Sequence, residues 1–529
     1  MKTTFRFIIA AMAAIAVFSS CQKELVGETV SNTTDGVRVI SVQFDNSTKA
    51  SLSDFTPAFT NGDKIRVSNS EKSEERPVTV TGTAATFTTT LPGELTAIYP
   101  ADAAVLASEA ADAPIASSNN FKVLATQDGT VEKAIIASAT VAEEENTATF
   151  NGLTALFEIT PPSTAKKITV TSLKKVESGS RTGTAADINT EDTGKTVITV
   201  GDGSADLPGT IYVALVPGVN LTDLSFEYIT DAANGLGAMK GIPAKDITAA
   251  GKTDATAANT KYTIGNTNWH PYVTIGGKKW ATMNIGATTL TGTGDYFMWG
   301  AVEKPYSSLS GNTFTFYDEM PSSYINNTWN ADKGFSDLNC QFTKDIGEYS
   351  ATLSEYAYGK QDVLTKYSAG KDGNSATGTA DGKTVLESCD DAATYNWGST
   401  WRMPEGGNAS EFIALYNATY WKWDDTDKGY YVYAPNPSTD AGKWEDGTGT
   451  YNKSDALLFF PAGGMGIDKN ISHGGTPGVK LGGYWTRTLN SEKPFQAHHF
   501  NFASDSGVNT DVTSSNLRCY GYLIRPVSD

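Results

Sequence analysis

The chain has 529 residues and a formal net charge of −18, from 41 basic and 59 acidic side chains. That length exceeds what one hydrophobic core serves, so about two to four domains are expected, and the acidity excludes charge-driven docking to nucleic acid or to an anionic lipid surface. Abundant Thr, Gly, Ser, Asn and Asp, frequent aromatics and the lack of long amphipathic runs predict a mainly β protein with many loops.

Lys2 and Arg6 precede an apolar run from Ile8 to Phe18. The run is shorter than the roughly 20 residues a membrane-spanning helix needs, so residues 1–20 are read as a cleaved export signal. It closes on Phe18-Ser19-Ser20-Cys21, which resembles the bacterial lipobox. The resemblance implies a diacylglycerol on the Cys21 thiol, cleavage just before that residue, and a mature chain held by several acyl groups. Gln22-Lys23-Glu24 resembles the charged leader of surface-exposed lipoproteins of the Bacteroidota, which implies an outer-membrane, cell-surface location. Residues 21–36 are polar and aperiodic, as a flexible tether would be.

From Val37 the pattern changes. Arg38, Ile40, Val42 and Phe44 alternate with Val39, Ser41 and Gln43, which predicts a strand with one richer apolar face. Asn61-Gly62-Asp63 is a turn signal, Pro77 to Thr90 with its Gly82 break predicts a hairpin, and Leu95 to Tyr99 predicts a further strand before Pro100. Short β-type runs follow at Ala148 to Ile159, Lys167 to Leu173, Lys195 to Val200, Gly209 to Val216, Asp223 to Ile229 and Thr260 to Ile264. Two tandem β-sandwiches are expected, over residues 37–150 and 151–265, with Gly265 to Asn268 as a linker. The order of Asn61-Gly62-Asp63-Lys64-Ile65, Tyr99-Pro100, Ala155-Leu156-Phe157-Glu158-Ile159 and Tyr212-Val213-Ala214-Leu215-Val216-Pro217 resembles the fimbrillins of the Bacteroidota, the lipoprotein subunits of type V pili. That resemblance implies transthyretin/Ig-like sandwiches, trimming by a protease after an Arg, and strand exchange with other pilin subunits. Arg38 is the best-placed maturation site, being the only Arg between the lipobox and Arg66; the alternative is an ordinary solvent-facing strand residue.

From Trp269 the chain becomes rich in Trp, Tyr, Gly and Asp. Gly276-Gly277-Lys278-Lys279-Trp280, Asn284, Tyr296 to Gly300, Trp401-Arg402-Met403-Pro404, Glu411-Phe412, Gly482-Gly483-Tyr484-Trp485 and Gly521 to Val527 together resemble the Fibrobacter succinogenes major paralogous domain. The resemblance implies an α+β, C-type lectin-like fold over residues 269–529, interrupted by an insertion at about 303–396. These motif residues are expected to build the fold: Pro404 to start a helix, Phe412 and Leu415 to face inward, and the Trp side chains to fill a core poor in aliphatics.

Long loops on rigid scaffolds commonly carry specificity. The insertion supplies exposed-looking aromatics, Tyr324, Trp329, Tyr349 and Tyr356, beside amides and carboxylates suited to sugars. The run Trp421, Trp423, Asp424, Asp425 and Asp427 is a second ligand candidate, whose carboxylates would suit calcium as the one cofactor to consider, or form a solvated acidic turn. The four His, at 270, 473, 498 and 499, and the remaining cysteines, Cys340, Cys389 and Cys519, match no catalytic or zinc pattern, so no enzyme and no resident metal are expected. An oxidising compartment allows one disulfide among the three, and the sequence leaves the pair open. The expected function is an accessory or tip subunit of a pilus acting in cell adhesion, with a glycan or protein ligand and no nucleic-acid partner. The alternative is a surface glycan-binding lipoprotein that never polymerises.

Overall fold

Alternation over residues 38–44 produces a strand because only a period of two puts Ile40, Val42 and Phe44 on one face. A computed structural model describes residues 36–45, 58–117, 120–123, 126–130, 134–172, 178–179, 196–231, 236–241, 256–258, 260–265, 269–324, 329–345, 362–368, 381–434, 452–472, 478 and 480–529. The lipobox, Cys21, most of the tether, and Tyr349 and Tyr356 lie outside these residues. The protein is mainly β, built of several sheets.

The chain divides into two compact units. The first comprises Met1–Asp45, Ala58–Ala116 and Ala137–Asn151. Its sheet order is Ser73–Pro77, Lys64–Ser68, Leu95–Tyr99, Ala137–Val141, Thr147–Gly152, Arg38–Phe44, Ala84–Thr89, Thr79–Thr81. Arg38–Phe44 (β1) is therefore an interior strand, parallel to Thr147–Gly152 and antiparallel to Ala84–Thr89. Its Ile40, Val42 and Phe44 are buried, and Phe44 stacks on Phe59 with centroids 4.5 Å apart, beside Tyr99 and Phe150. Gly82 turns the predicted hairpin at a φ of 62°, a value that favours glycine.

The second unit takes Asn46–Pro57, Ser117–Ile136 and Gly152–Asp529. The described residues of 117–136, expected in the first sandwich, group with this unit. Thr126–Gln127 pairs with Thr199 and Val200, and the Gln127 amide bonds both the N–H and the carbonyl of Ala214. Ala155–Ile159 lies between Ile211–Leu215 and Thr260–Ile264, and its Phe157 ring reaches Phe226 of a second sheet at 5.4 Å. That second sheet has eight strands in the order Val527–Ser528, Lys278–Ala281, His270–Ile275, Leu236–Gly241, Leu224–Asp231, Lys167–Ser172, Thr196–Val200, Thr126–Gln127. Leu236–Gly241 (β2), His270–Ile275 (β3), Lys278–Ala281 (β4) and Val527–Ser528 (β5) carry one sheet across the residues where a linker was expected. The register is Gly237 opposite Tyr272, Ala238 opposite Pro271 and Met239 opposite His270.

Two short helices pack on this sheet's C-terminal part. Ala392–Trp397 (α1) is capped by Asp391, whose Oδ1 accepts from Ala393 N at 2.9 Å and Thr394 N at 3.1 Å. Glu411–Ala418 (α2) is capped by Ser410, so the helix starts seven residues after Pro404 rather than at it. Before α2 the chain makes a 3-10 turn at Gly407–Ala409, and Glu411 ties back to the residues ahead of that turn, accepting both guanidinium nitrogens of Arg402 at 2.7 Å and the Glu405 N–H at 2.9 Å. Phe412 and Leu415 face inward as expected. Around them the core is aromatic: Trp280 on Phe412, Phe412 stacked on Phe500 at 4.6 Å, and Trp421 stacked on Phe460 at 4.9 Å.

The end of α1 sits so tightly on β2 that a Cβ at Gly241 would lie 1.8 Å from the Trp397 carbonyl oxygen. Gly241→Ala is therefore expected to lower stability by about 1–3 kcal/mol, as overpacking against fixed backbone does. Thermal unfolding checks this, and an unchanged midpoint would contradict the close seating of α1 on β2.

Candidate binding cleft

β3 and α1 bring His270 and Trp397 face to face, with ring centroids 3.7 Å apart and planes 5° from parallel. The pair forms one wall of a cleft of about 760 Å³, whose apolar lining also includes Ile285, Phe297 and Met320. The polar lining is acidic: Asp295, Glu303 and Glu319, with Lys304 the one cation among them. Asp295 Oδ1 accepts from Lys304 Nζ at 3.0 Å and from the Tyr306 hydroxyl at 3.2 Å. Glu303 Oε2 accepts from Ser323 Oγ at 2.6 Å. Among the described residues neither Glu303 nor Glu319 is ion-paired. Asn396 is held by bonds from its Nδ2 to the Val302 and Ala392 carbonyls, both 2.8 Å. Tyr317, 39% exposed, stands in the lining with its ring free for contact. Aromatic faces with carboxylates and an amide are the groups that hold polar ligands with an apolar face, sugars and peptide side chains among them.

Burial, and then the positive charge of Lys240, push the His270 ring down to about 3. Burial, and then His498, push His499 down to about 4. His270 therefore enters the cleft wall as a neutral ring.

Both ends of the insertion reach the cleft, through Glu303, Lys304, Tyr317, Glu319 to Ser322 and Asn396. The aromatics expected to do so behave otherwise. Tyr324 is 4% exposed and belongs to the core, with its hydroxyl on the Glu303 carbonyl, so it offers no face to a ligand. Trp329 is partly buried, edge-on to Tyr324 at 5.5 Å, with Nε1 on the Tyr317 carbonyl. Trp421 is 1% exposed, and its Nε1 is satisfied by Thr419 Oγ1. Trp423 is half-buried, edge-on to Tyr430, with Nε1 on Asp425. The sequence missed His270, Asp295 and Trp397; only the Trp-His dipeptide at 269–270 and Asn396-Trp397-Gly398 signalled them, and neither marks a shared cleft without the fold.

The acidic run forms the tight turn between Tyr420–Asp424 and Gly429–Tyr433. Asp424 Oδ1 is taken by the N–H groups of Thr426 and Asp427, while Lys453 Nζ lies 2.9 Å from Asp424 Oδ2 and 2.6 Å from Asp427 Oδ2. Lys453, and then the Tyr431 hydroxyl, hold the Asp427 carboxyl below the usual carboxylate range. An ammonium thus stands where calcium would, and Asp425 alone points out. Glu387, Cys389 and Asp390 also converge, but Lys366 binds both carboxylates there.

Arg38 is half-buried at the start of β1. Its guanidinium donates to the carbonyls of Gly93 at 2.7 Å, Ala142 at 3.0 Å and Glu145 at 2.8 Å.

No protein-family model matches the chain, and no curated protein matches it. Among solved structures, a protein of Bacteroides uniformis described as a cell adhesion protein is similar at 15% identity and a TM-score of 0.29, covering 45% of this chain and 96% of its own. A counterpart from Bacteroides ovatus is similar at 14% identity and a TM-score of 0.26, over 44% and 95%. The tip fimbrial protein Mfa3 of Porphyromonas gingivalis is similar at 10% identity and a TM-score of 0.23, over 44% and 95%. The fold described above rests on the chain's own strand pairings.

Two outcomes follow from the site. Each buried ring is neutral when folded but protonated when unfolded between its folded value and about 6.5, so stability falls as pH drops through that window. His270→Phe, which keeps the stack on Trp397, should shrink the loss of Tm between about pH 7 and 4.5; an equal loss in both proteins would show that His270 does not titrate so. Millimolar calcium should leave Tm unchanged, because Lys453 already neutralises the turn; a calcium-dependent rise abolished by Asp427→Asn would contradict this.

Proposed function

We propose that this is a lipid-anchored cell-surface protein, an accessory or tip subunit of a pilus, whose C-terminal lectin-like part presents the cleft to a glycan or protein ligand. The observation that carries the proposal is the cleft itself: a recess of about 760 Å³ lined by both ends of a long insertion and walled on one side by His270 of β3. Specificity loops on a fixed scaffold are the usual build of an adhesion surface. The anchor and leader come from the resemblance at Cys21.

The first unit supports a role in assembly. Its β1 lies between two other strands, so removing it would uncover backbone groups on Thr147–Gly152 and on Ala84–Thr89, together with the pocket of Phe59, Tyr99 and Phe150. A strand from another subunit is the occupant such a groove accepts. Cleavage after Arg38 would release the three carbonyls that hold that guanidinium but leave Val39–Phe44 joined to the mature chain, so the groove opens only when those residues also leave the sheet.

Antibody against residues 269–529, used for immunogold microscopy on intact cells, is expected to label filament ends. Label spread over the cell body without filaments would overturn the pilus assignment and favour a free-standing glycan-binding lipoprotein. Tyr317→Ala with Glu319→Gln, both exposed positions, should weaken adherence of the purified chain to host cells or immobilised glycans by about tenfold while leaving Tm unchanged. Unaltered adherence would remove the cleft from the proposal.

A further inference from the structure

We infer that Cys340 and Cys519 form a disulfide in the mature protein, leaving Cys389 as a thiol. Because such a bond needs an oxidising compartment, it rests on the export proposed above. The pairing itself comes from packing. Cys340 and Cys519, both thiols in this structure, are 6% and 2% exposed, and with Leu517 they make one small buried cluster, against which Phe495 and Tyr520 pack. Cys389 sits elsewhere, exposed in the Ser388–Asp390 turn beside Glu387 and Asp390, where burial and then Asp390 push its thiol up. A raised thiol carries little thiolate at neutral pH and exchanges slowly.

The bond would also have a purpose in this fold. Cys340 follows the Asp337–Asn339 turn within the insertion, a segment anchored by Asn339 to the Asn330 and Gly334 carbonyls. Cys519 follows Arg518, whose carbonyl accepts the Trp299 N–H. Joining residues 519 − 340 = 179 positions apart would staple the insertion that lines the cleft to the end of the core. A loop of that length gives the unfolded chain much entropy to lose on cross-linking.

The chemistry balances through exchange. One cysteine thiolate attacks the disulfide of an oxidant of the thiol–disulfide oxidoreductase class, or glutathione disulfide, and forms a mixed disulfide. The second cysteine then attacks the protein sulfur of that bond. Two protons leave the protein thiols, two electrons reduce the oxidoreductase to its dithiol form or glutathione disulfide to two molecules of glutathione, and one S–S bond remains in the chain. Both sulfurs are buried once folded, so the exchange belongs to folding rather than to the finished surface.

The test is alkylation of the full chain, isolated without reduction and unfolded in denaturant, followed by peptide mass mapping. The expected result is a cross-linked peptide pair containing Cys340 and Cys519, lighter by the two hydrogens lost, with the alkyl label on Cys389 alone. Reductant should lower the wild-type Tm by roughly 5–10 °C. It should not lower that of Cys340→Ala or Cys519→Ala, whereas Cys389→Ala should respond like wild type. Alkyl label on all three cysteines, or a cross-link that includes Cys389, would overturn the pairing. Leaderless chain refolded in a glutathione buffer separates the two premises. A bond formed there but missing from the cell-expressed protein would refute export and leave the pairing intact.

Discussion

The backbone pairing of β2 with β3 is the constraint on which the second unit depends. Once Met239 lies opposite His270, the sandwich strands and the C-terminal strands share one hydrogen-bonded sheet, and the positions around it lose their freedom. Gly237 has no room for a side chain, because a Cβ there would meet the Tyr272 hydroxyl at 2.7 Å. That hydroxyl in turn donates to Glu227, which also holds Lys279 of β4. Gly241 accepts the end of α1, and this fixes Trp397 over His270. The cleft wall is thus a consequence of strand register, and a slip of one residue would turn His270 to the other face.

Buried charge holds the C-terminal core in one arrangement. Arg525 is fully buried and spends its guanidinium on Asn284 Oδ1 at 2.7 Å, the Ala281 carbonyl at 3.0 Å and the Phe459 carbonyl at 2.7 Å, with its plane over the Phe460 ring. Burial pushes it down to about 10, still charged at neutral pH. Arg518 binds the Tyr367 and Pro494 carbonyls and lies over Trp299. Asp391 is buried too; burial raises its carboxyl, while bonds from Met403, Thr394 and Ala393 oppose the rise. Groups like these cost desolvation energy and repay it only in one geometry, so removing a single partner leaves a buried group uncompensated. An aromatic core with few aliphatics gains specificity from them that packing alone would not supply.

Local pattern made the strands legible. The two-residue period placed Ile40, Val42 and Phe44 inward, Gly82 marked its hairpin, and Phe412 and Leu415 marked the inner face of α2. What failed were statements about partners far away in the chain. Gly265 to Asn268 has the composition of a linker, yet the strands on either side of the junction, β2 and β3, pair with each other. Residues 117–136 carry no sign that their edge belongs to Thr196–Val200. Tyr324 and Trp421 looked exposed because their neighbours are polar, but a side chain's face is decided by the sheet and loops above it. Pro404 permits a helix start, and the Arg402–Glu411 pair overrides that permission. The cleft was half legible: the insertion was marked as a carrier of specificity by its length, while His270 and Trp397 become neighbours only through the fold.

The central claim, that one continuous sheet locks the cleft-bearing part to the strands before it, is tested most directly by hydrogen exchange followed by mass spectrometry. Peptides covering 236–241 and 269–275 should be protected together with 224–231 and should open at the same denaturant concentration, as one cooperative body. Rapid exchange in 269–275 while 224–231 stays protected would contradict the claim, since it would mean the C-terminal part hangs on a linker after all.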